Sequence, residues 1–213
     1  MTSNNVKLLG VWWSPFVIRV RVALNLKSVD YDFIEETFMS KSELLLELNP
    51  VNKKIPVLVH NDKPICESII IAQYIGDVWN TSGSPIFPCD LYGRAVTKFW
   101  SVYIDDKIFP ISRSISLAGV KGVEKEVICN LVEALAPLED IFKGCSKGKK
   151  FFGGDRIEYL DIALGSLIGW FKVTDEFNDV KLFDETKFPN LSSWVDNFVV
   201  NDAVKDVLPP GSS

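Results

Sequence analysis

The sequence predicts an α/β domain followed by an all-helical domain, and three observations carry that prediction. Short apolar runs alternate with helical patterns as far as Trp79, in the order β-α-β-α-β-β-α. A stretch rich in turn formers, Asn80-Thr-Ser-Gly-Ser-Pro with Pro88 beyond it, then interrupts the pattern. From Leu91 onward helical spacing dominates and strand signals are few. The expected domains are 1–80 and 91–213, joined by a linker at 81–90.

Each element has its own signal. Val6 to Val11 is a short apolar run and reads as a buried strand. Ser14-Pro15 opens a helix, with serine as N-cap and proline at the first helical position, and apolar residues recur at helical spacing to Leu26. Tyr31 to Glu36 reads as a second strand, and Ser42 to Leu48 as a short helix stopped by Asn49-Pro50. Ile55 to His60 and Lys63 to Cys66 flank Asn61-Asp62, which is a hairpin signal. Ser68 reads as the N-cap of an apolar helix from Ile69 to Trp79. In the second domain, helices are expected over Leu91 to Ser116, Val123 to Phe142, Asp161 to Phe171 and Leu191 to Asn201, with a basic loop from Gly144 to Lys150.

Composition excludes several functions. Hydrophobic residues make up 47% of the chain and charged residues 24%, enough for packed cores. The net charge of -5 argues against general nucleic-acid binding, which needs basic surface. No apolar run has the length of a membrane span, and Met1-Thr-Ser-Asn-Asn lacks the features of a secretory signal, so the cytoplasm is expected. The four cysteines are widely spaced and read as buried or partly buried free thiols. His60 is the only histidine, which disfavours both a structural metal site and a Ser-His-Asp hydrolase; its place in the hairpin suggests a surface residue.

Three short features carry chemistry. The first is Trp13-Ser14-Pro15-Phe16, between a strand and a helix. A helix N-terminus stabilises an anion, and the Ser14 hydroxyl offers a further donor; taken alone, the feature reads first as a plain helix cap. The second is Asn49-Pro-Val-Asn-Lys-Lys-Ile-Pro-Val-Leu. A cis Ile55–Pro56 bond there would expose the Ile55 backbone to an extended ligand, and Lys53, Lys54 and Lys41 would attract an anion. The third is Glu67-Ser68, which suits an ammonium and a carboxylate, the two ends of an α-amino acid head. Together these features describe a ligand with an amino-acid head, a peptide backbone, a thiol and a terminal carboxylate. Glutathione has all four.

With those motifs, and with Arg19, Arg21, Pro64-Ile-Cys-Glu-Ser68, Phe99-Trp100, Asp105-Asp-Lys-Ile, Phe152-Gly-Gly-Asp155 and Tyr159-Leu-Asp-Ile-Ala163, the chain resembles the cytosolic glutathione transferases, specifically the plant tau class. The resemblance implies a thioredoxin-like first domain with a cis Pro56. It implies Ser14 as the catalytic serine, Glu67 and Ser68 on the γ-glutamyl end, the Ile55 backbone on the cysteinyl part, and Lys41 with Lys54 on the glycyl carboxylate. Val11, Phe16, Phe109, Arg113 and Trp170 would line a pocket for a hydrophobic electrophile, and Asp161 would be a structural helix cap. It further implies a homodimer, and glutathione as co-substrate with no separate cofactor and no metal.

Two departures are expected to matter. Tau members usually carry one more helix over the electrophile pocket, whereas this chain runs out at Val207-Leu-Pro-Pro-Gly-Ser-Ser213, so that lid would be shortened or absent. Ser116 stands where relatives often place a bulkier side chain. The expected reaction is attack by the glutathione sulfur on an electrophilic carbon or a peroxide oxygen. The alternatives are a non-catalytic carrier of apolar or aromatic anions, and a thiol–disulfide oxidoreductase. The second is disfavoured because serine at position 14 cannot form a mixed disulfide.

Overall fold

A computed structural model describes residues 5–37, 40–118 and 123–209. By contacts the chain divides into two compact units, Met1–Ile86 and Phe87–Ser213. The segment expected as a linker is shared between them, with Ile86 and Phe87 both buried.

In the first unit, β1 (Val6–Gly10), α1 (Pro15–Leu26), β2 (Asp32–Glu35), α2 (Glu43–Leu48), β3 (Val57–His60), β4 (Lys63–Cys66) and α3 (Ser68–Val78) follow the expected order. The sheet order is β2-β1-β3-β4, with β1 and β2 parallel and the remaining pairs antiparallel. This is the thioredoxin-like arrangement. Asn61 and Asp62 both take left-handed φ values (51° and 61°), as a two-residue turn between twisted strands requires. Gly10, the last residue of β1, leaves no room for a side chain: a Cβ would lie 2.5 Å from Val17 Cγ2. That close approach sets α1 directly on the strand.

In the second unit, the helix expected from Leu91 to Ser116 is interrupted. α4 (Leu91–Tyr103) runs into a π-helical turn (Ile104–Ile108), then α5 (Phe109–Ala118). The remaining helices are α6 (Lys125–Ser146), α7 (Tyr159–Gly165), α8 (Ile168–Asn178) and α9 (Pro189–Val199). Two expectations need correction. α6 extends into the basic segment read as a loop, taking in Gly144 to Ser146 and ending where Lys147 turns left-handed. The helix expected from Asp161 to Phe171 is two helices: the Leu167 N–H closes on the Leu164 carbonyl and the Ser166 hydroxyl on the Ala163 carbonyl, tightening the chain at that point.

Asp161 organises this unit's core. It is fully buried, and its carboxylate accepts from the Phe152, Gly153 and Glu158 N–H groups and from the Trp194 indole at 2.8–3.3 Å. It forms a capping box with Glu158 at the start of α7. Burial pushes its pKa up to about 7, while those four donors pull the other way. Residues 200–209 form turns with Val204, Val207 and Leu208 buried, and Pro210 to Ser213 lie outside the described residues.

The cysteines are free, but only Cys66 is half-buried; Cys89, Cys129 and Cys145 are exposed, contrary to expectation. His60 also departs from its surface reading. It is half-buried, its Nδ1 lies 2.8 Å from the Tyr74 hydroxyl, and its ring packs 4.9 Å from Trp79, because the hairpin end leans on α3.

Candidate glutathione-binding edge

Strand register gathers the three sequence features at one end of the sheet. Leu9 pairs with Val57, and Val57 with Cys66, so the end of β1, the start of β3 and the end of β4 are level. Gly10 pairs with Glu35 in the parallel β2, whose end lies at the same edge. Ser14, Ile55, Glu67 and the loop bearing Lys41 all follow or precede those positions by a few residues.

Ser14 occupies the N-cap position of α1 with extended backbone (φ -68°, ψ 125°), and its carbonyl accepts from the Val17 and Ile18 N–H groups. Its side chain makes no capping hydrogen bond. The residue is 9% exposed. Helix initiation therefore rests on its backbone and on Pro15, and the hydroxyl is not spent on it. Val11 beside it is buried, while Phe16 is half-buried under the Arg19 guanidinium, 4.9 Å from its ring centroid.

The loop before β3 is built on Asn49, which the sequence marked as a helix stop and as the start of the second feature. Asn49 is buried; its amide donates to the Lys54 carbonyl at 2.9 Å and its Oδ1 accepts from the Asn52 N–H at 3.1 Å. The Ile55–Pro56 peptide is cis. Ile55 packs on Leu9, Leu45, Val57 and Val59, whereas Lys41 and Lys54 are exposed. Asn52 also reaches across to Glu67, donating to Oε1 at 2.8 Å.

The third feature requires a correction. Ser68 is not the N-cap of α3 but its first residue, and Glu67 holds the cap position with φ 71° and no side-chain capping bond. Left-handed backbone is costly for a residue with a Cβ, and here it turns the chain abruptly from β4 into α3. Ser68 is buried and Glu67 exposed. Burial, and secondarily the Glu67 charge, push the neighbouring Cys66 thiol above its ordinary pKa, which disfavours a reactive thiolate there.

Within the second unit, Phe109 begins α5 directly after the π-helical turn and lies 5.5 Å from Trp170 of α8, ring to ring. Arg113, one turn along α5, is exposed. The Ser116 Oγ is buried without a hydrogen-bond partner among the described residues.

The model of the glutathione S-transferase N-terminal domain matches residues 4–77, and that of the C-terminal domain matches residues 126–197. Glutathione S-transferase U17 of Arabidopsis thaliana is 55% identical over 98% of this chain and 92% of its own length. The chain belongs to the glutathione S-transferase family. Glutathione S-transferase U18 of the same plant is 50% identical over the same shares. A tau-class transferase from mango superposes with a TM-score of 0.90 at 50% identity, covering 96% of this chain and 93% of that one. The rice enzyme solved in complex with glutathione superposes at 0.84 with 30% identity, covering 96% and 92%. This transferase is thus an enzyme of the plant tau class.

Proposed function

We propose that the transferase binds glutathione at this sheet edge and that Ser14 holds the glutathione sulfur as a thiolate. The observation carrying the reading is the Ser14 hydroxyl, set at the start of α1 yet unused by the helix. A free cysteine thiol has a pKa of about 8.5, so only a small fraction is thiolate at neutral pH. A hydroxyl donor beside the positive end of a helix favours the charged form. Ser14 donates, and the glutathione sulfur attacks. Glu67 and Ser68 take the γ-glutamyl end, the Ile55 backbone pairs with the cysteinyl part, and Lys41 and Lys54 meet the glycyl carboxylate. The rice relative solved with glutathione supports this ligand.

The electrophile is hydrophobic in this reading, and Val11, Phe16, Phe109, Arg113 and Trp170 receive it. Organic hydroperoxides form a second substrate class, attacked at a peroxide oxygen. The enzyme works as a homodimer, for which the exposed apolar face of α4 is the supporting feature. Its free cysteines fit the reducing cytoplasm.

The test is the pH–rate profile of Ser14→Ala with an aryl halide. Its thiol should ionise about one to two units higher, lowering kcat/KM roughly 10- to 100-fold below neutral pH. Unchanged turnover would remove Ser14 from the mechanism.

A further inference from the structure

The segment between β2 and α2 holds a carboxylate that the reading above does not use. Glu36 directly follows β2 and is 5% exposed, and its N–H extends the β1–β2 ladder to the Gly10 carbonyl at 2.8 Å. A buried carboxylate is costly unless it is hydrogen-bonded. Its partner is Ser42, whose hydroxyl donates to Glu36 Oε1 at 2.6 Å and whose N–H approaches Oε2 at 3.4 Å. The first distance is that of a charge-assisted bond. The same Ser42 Oγ accepts from the Leu45 N–H at 3.0 Å, capping α2. One serine thereby ties the end of the sheet to the start of α2. A second tie, from Thr37 Oγ1 to the Ser40 carbonyl at 2.6 Å, tightens the same segment. Lys41 lies between the two ties, one peptide bond from Ser42.

Neither the strand nor the helix needs this charge. An apolar residue at 36 would fill the space, and serine, asparagine or aspartate at 42 would cap α2 alone. The Glu36–Ser42 bond adds a fixed path from β1 to the Lys41 backbone. A lysine ammonium is a point charge on a flexible stem, so a rigid backbone is the protein's means of aiming it. We propose that Glu36 and Ser42 are positioning residues that aim Lys41 at the glycyl carboxylate of glutathione. The proposal rests on the assignment of Lys41 made above.

The test compares glutathione with γ-glutamylcysteine, a thiol lacking the glycyl carboxylate, using one aryl halide. The measured quantity is the ratio of kcat/KM for the two thiols, alongside thermal unfolding. Lys41→Ala should reduce the preference for glutathione roughly tenfold, the effect of a lost charge-assisted contact. Ser42→Ala and Glu36→Gln should each reduce it roughly threefold or more, through a higher KM for glutathione, and Ser42→Thr, which keeps the hydroxyl, should restore it. If Lys41→Ala loses the preference while Glu36→Gln and Ser42→Ala slow both thiols equally, the clasp is structural only and the proposal is wrong. If Lys41→Ala keeps the preference, the Lys41 assignment fails and the proposal falls with it.

Discussion

Single residues here separate roles that the sequence merges. A Ser-Pro pair at a helix start reads as a cap, yet the Ser14 hydroxyl caps nothing. Removing a capping serine side chain costs about 1 kcal/mol. Ser14→Ala should therefore unfold within a few tenths of a kcal/mol of wild type in denaturant titration while losing activity; a cost near 1 kcal/mol would show that the hydroxyl caps after all. Lys27 is the opposite case, a charge hidden from solvent. It is 2% exposed and donates to the Ser82 carbonyl at 3.0 Å, and burial lowers its pKa. The folded protein then holds that proton less tightly than the unfolded chain. Stability from this group is deficient below the folded pKa and recovers as pH rises towards the ordinary lysine value near 10.4. Lys27→Met should reduce the gain in Tm as pH rises towards the ordinary lysine pKa, relative to wild type. Parallel Tm curves for the two proteins would contradict it.

At the scale of elements, helix starts are finished by partners distant in sequence. α9 begins at Pro189 with Phe188 in the cap position and no side-chain bond of its own. Its free N–H groups are taken by Glu139 of α6: Oε1 accepts from Asn190 N–H and Oε2 from Leu191 N–H, each at 2.9 Å. A carboxylate at the positive end of a helix is favourable, and leaving those donors unpaired is costly. Glu139→Ala should destabilise the protein by about 2 kcal/mol, and Glu139→Gln, which keeps one acceptor, by about half as much. Denaturant titration of both variants checks the order; equal losses would contradict it. A Glu in the middle of an amphipathic helix carries no sign of this task in the sequence.

For the whole molecule, the exposed apolar surface of α4 is the main feature left over. Tyr92, Ala95, Phe99 and Val102 recur at helical spacing and all are exposed, with Leu91 beside them. In the first unit, Ile70 and Val78 of α3 are exposed as well. A contiguous apolar face on a folded protein marks an interaction surface, and a two-fold homodimer buries the same patch of both subunits. Phe99→Asp combined with Tyr92→Lys should convert the proposed dimer to a monomer at about 10 μM in sedimentation velocity, since it places charges in an apolar contact. A wild-type monomer would refute the homodimer, and a dimer unaffected by both changes would move the interface elsewhere.

The division into α/β and helical units, the hairpin turn at Asn61-Asp62, the start of α1 and the segments that meet at one edge of the sheet were legible in the chain alone. Each depends on local chemistry: periodicity, turn formers and the backbone limits of proline and glycine. Other features depend on neighbours brought from elsewhere in the chain. The left-handed turn at Glu67, which displaces Ser68 from the cap, is set by the abrupt change from β4 to α3. Asn52 reaches across to Glu67, Glu139 caps a helix 50 residues away, and His60 is drawn against Tyr74 and Trp79. Hydrogen bonds and burial of that kind leave no period in sequence, because their geometry exists only once the elements have packed. Local physics selected which residues sit at the sheet edge, and tertiary packing decided which of their polar groups remain unspent for a ligand.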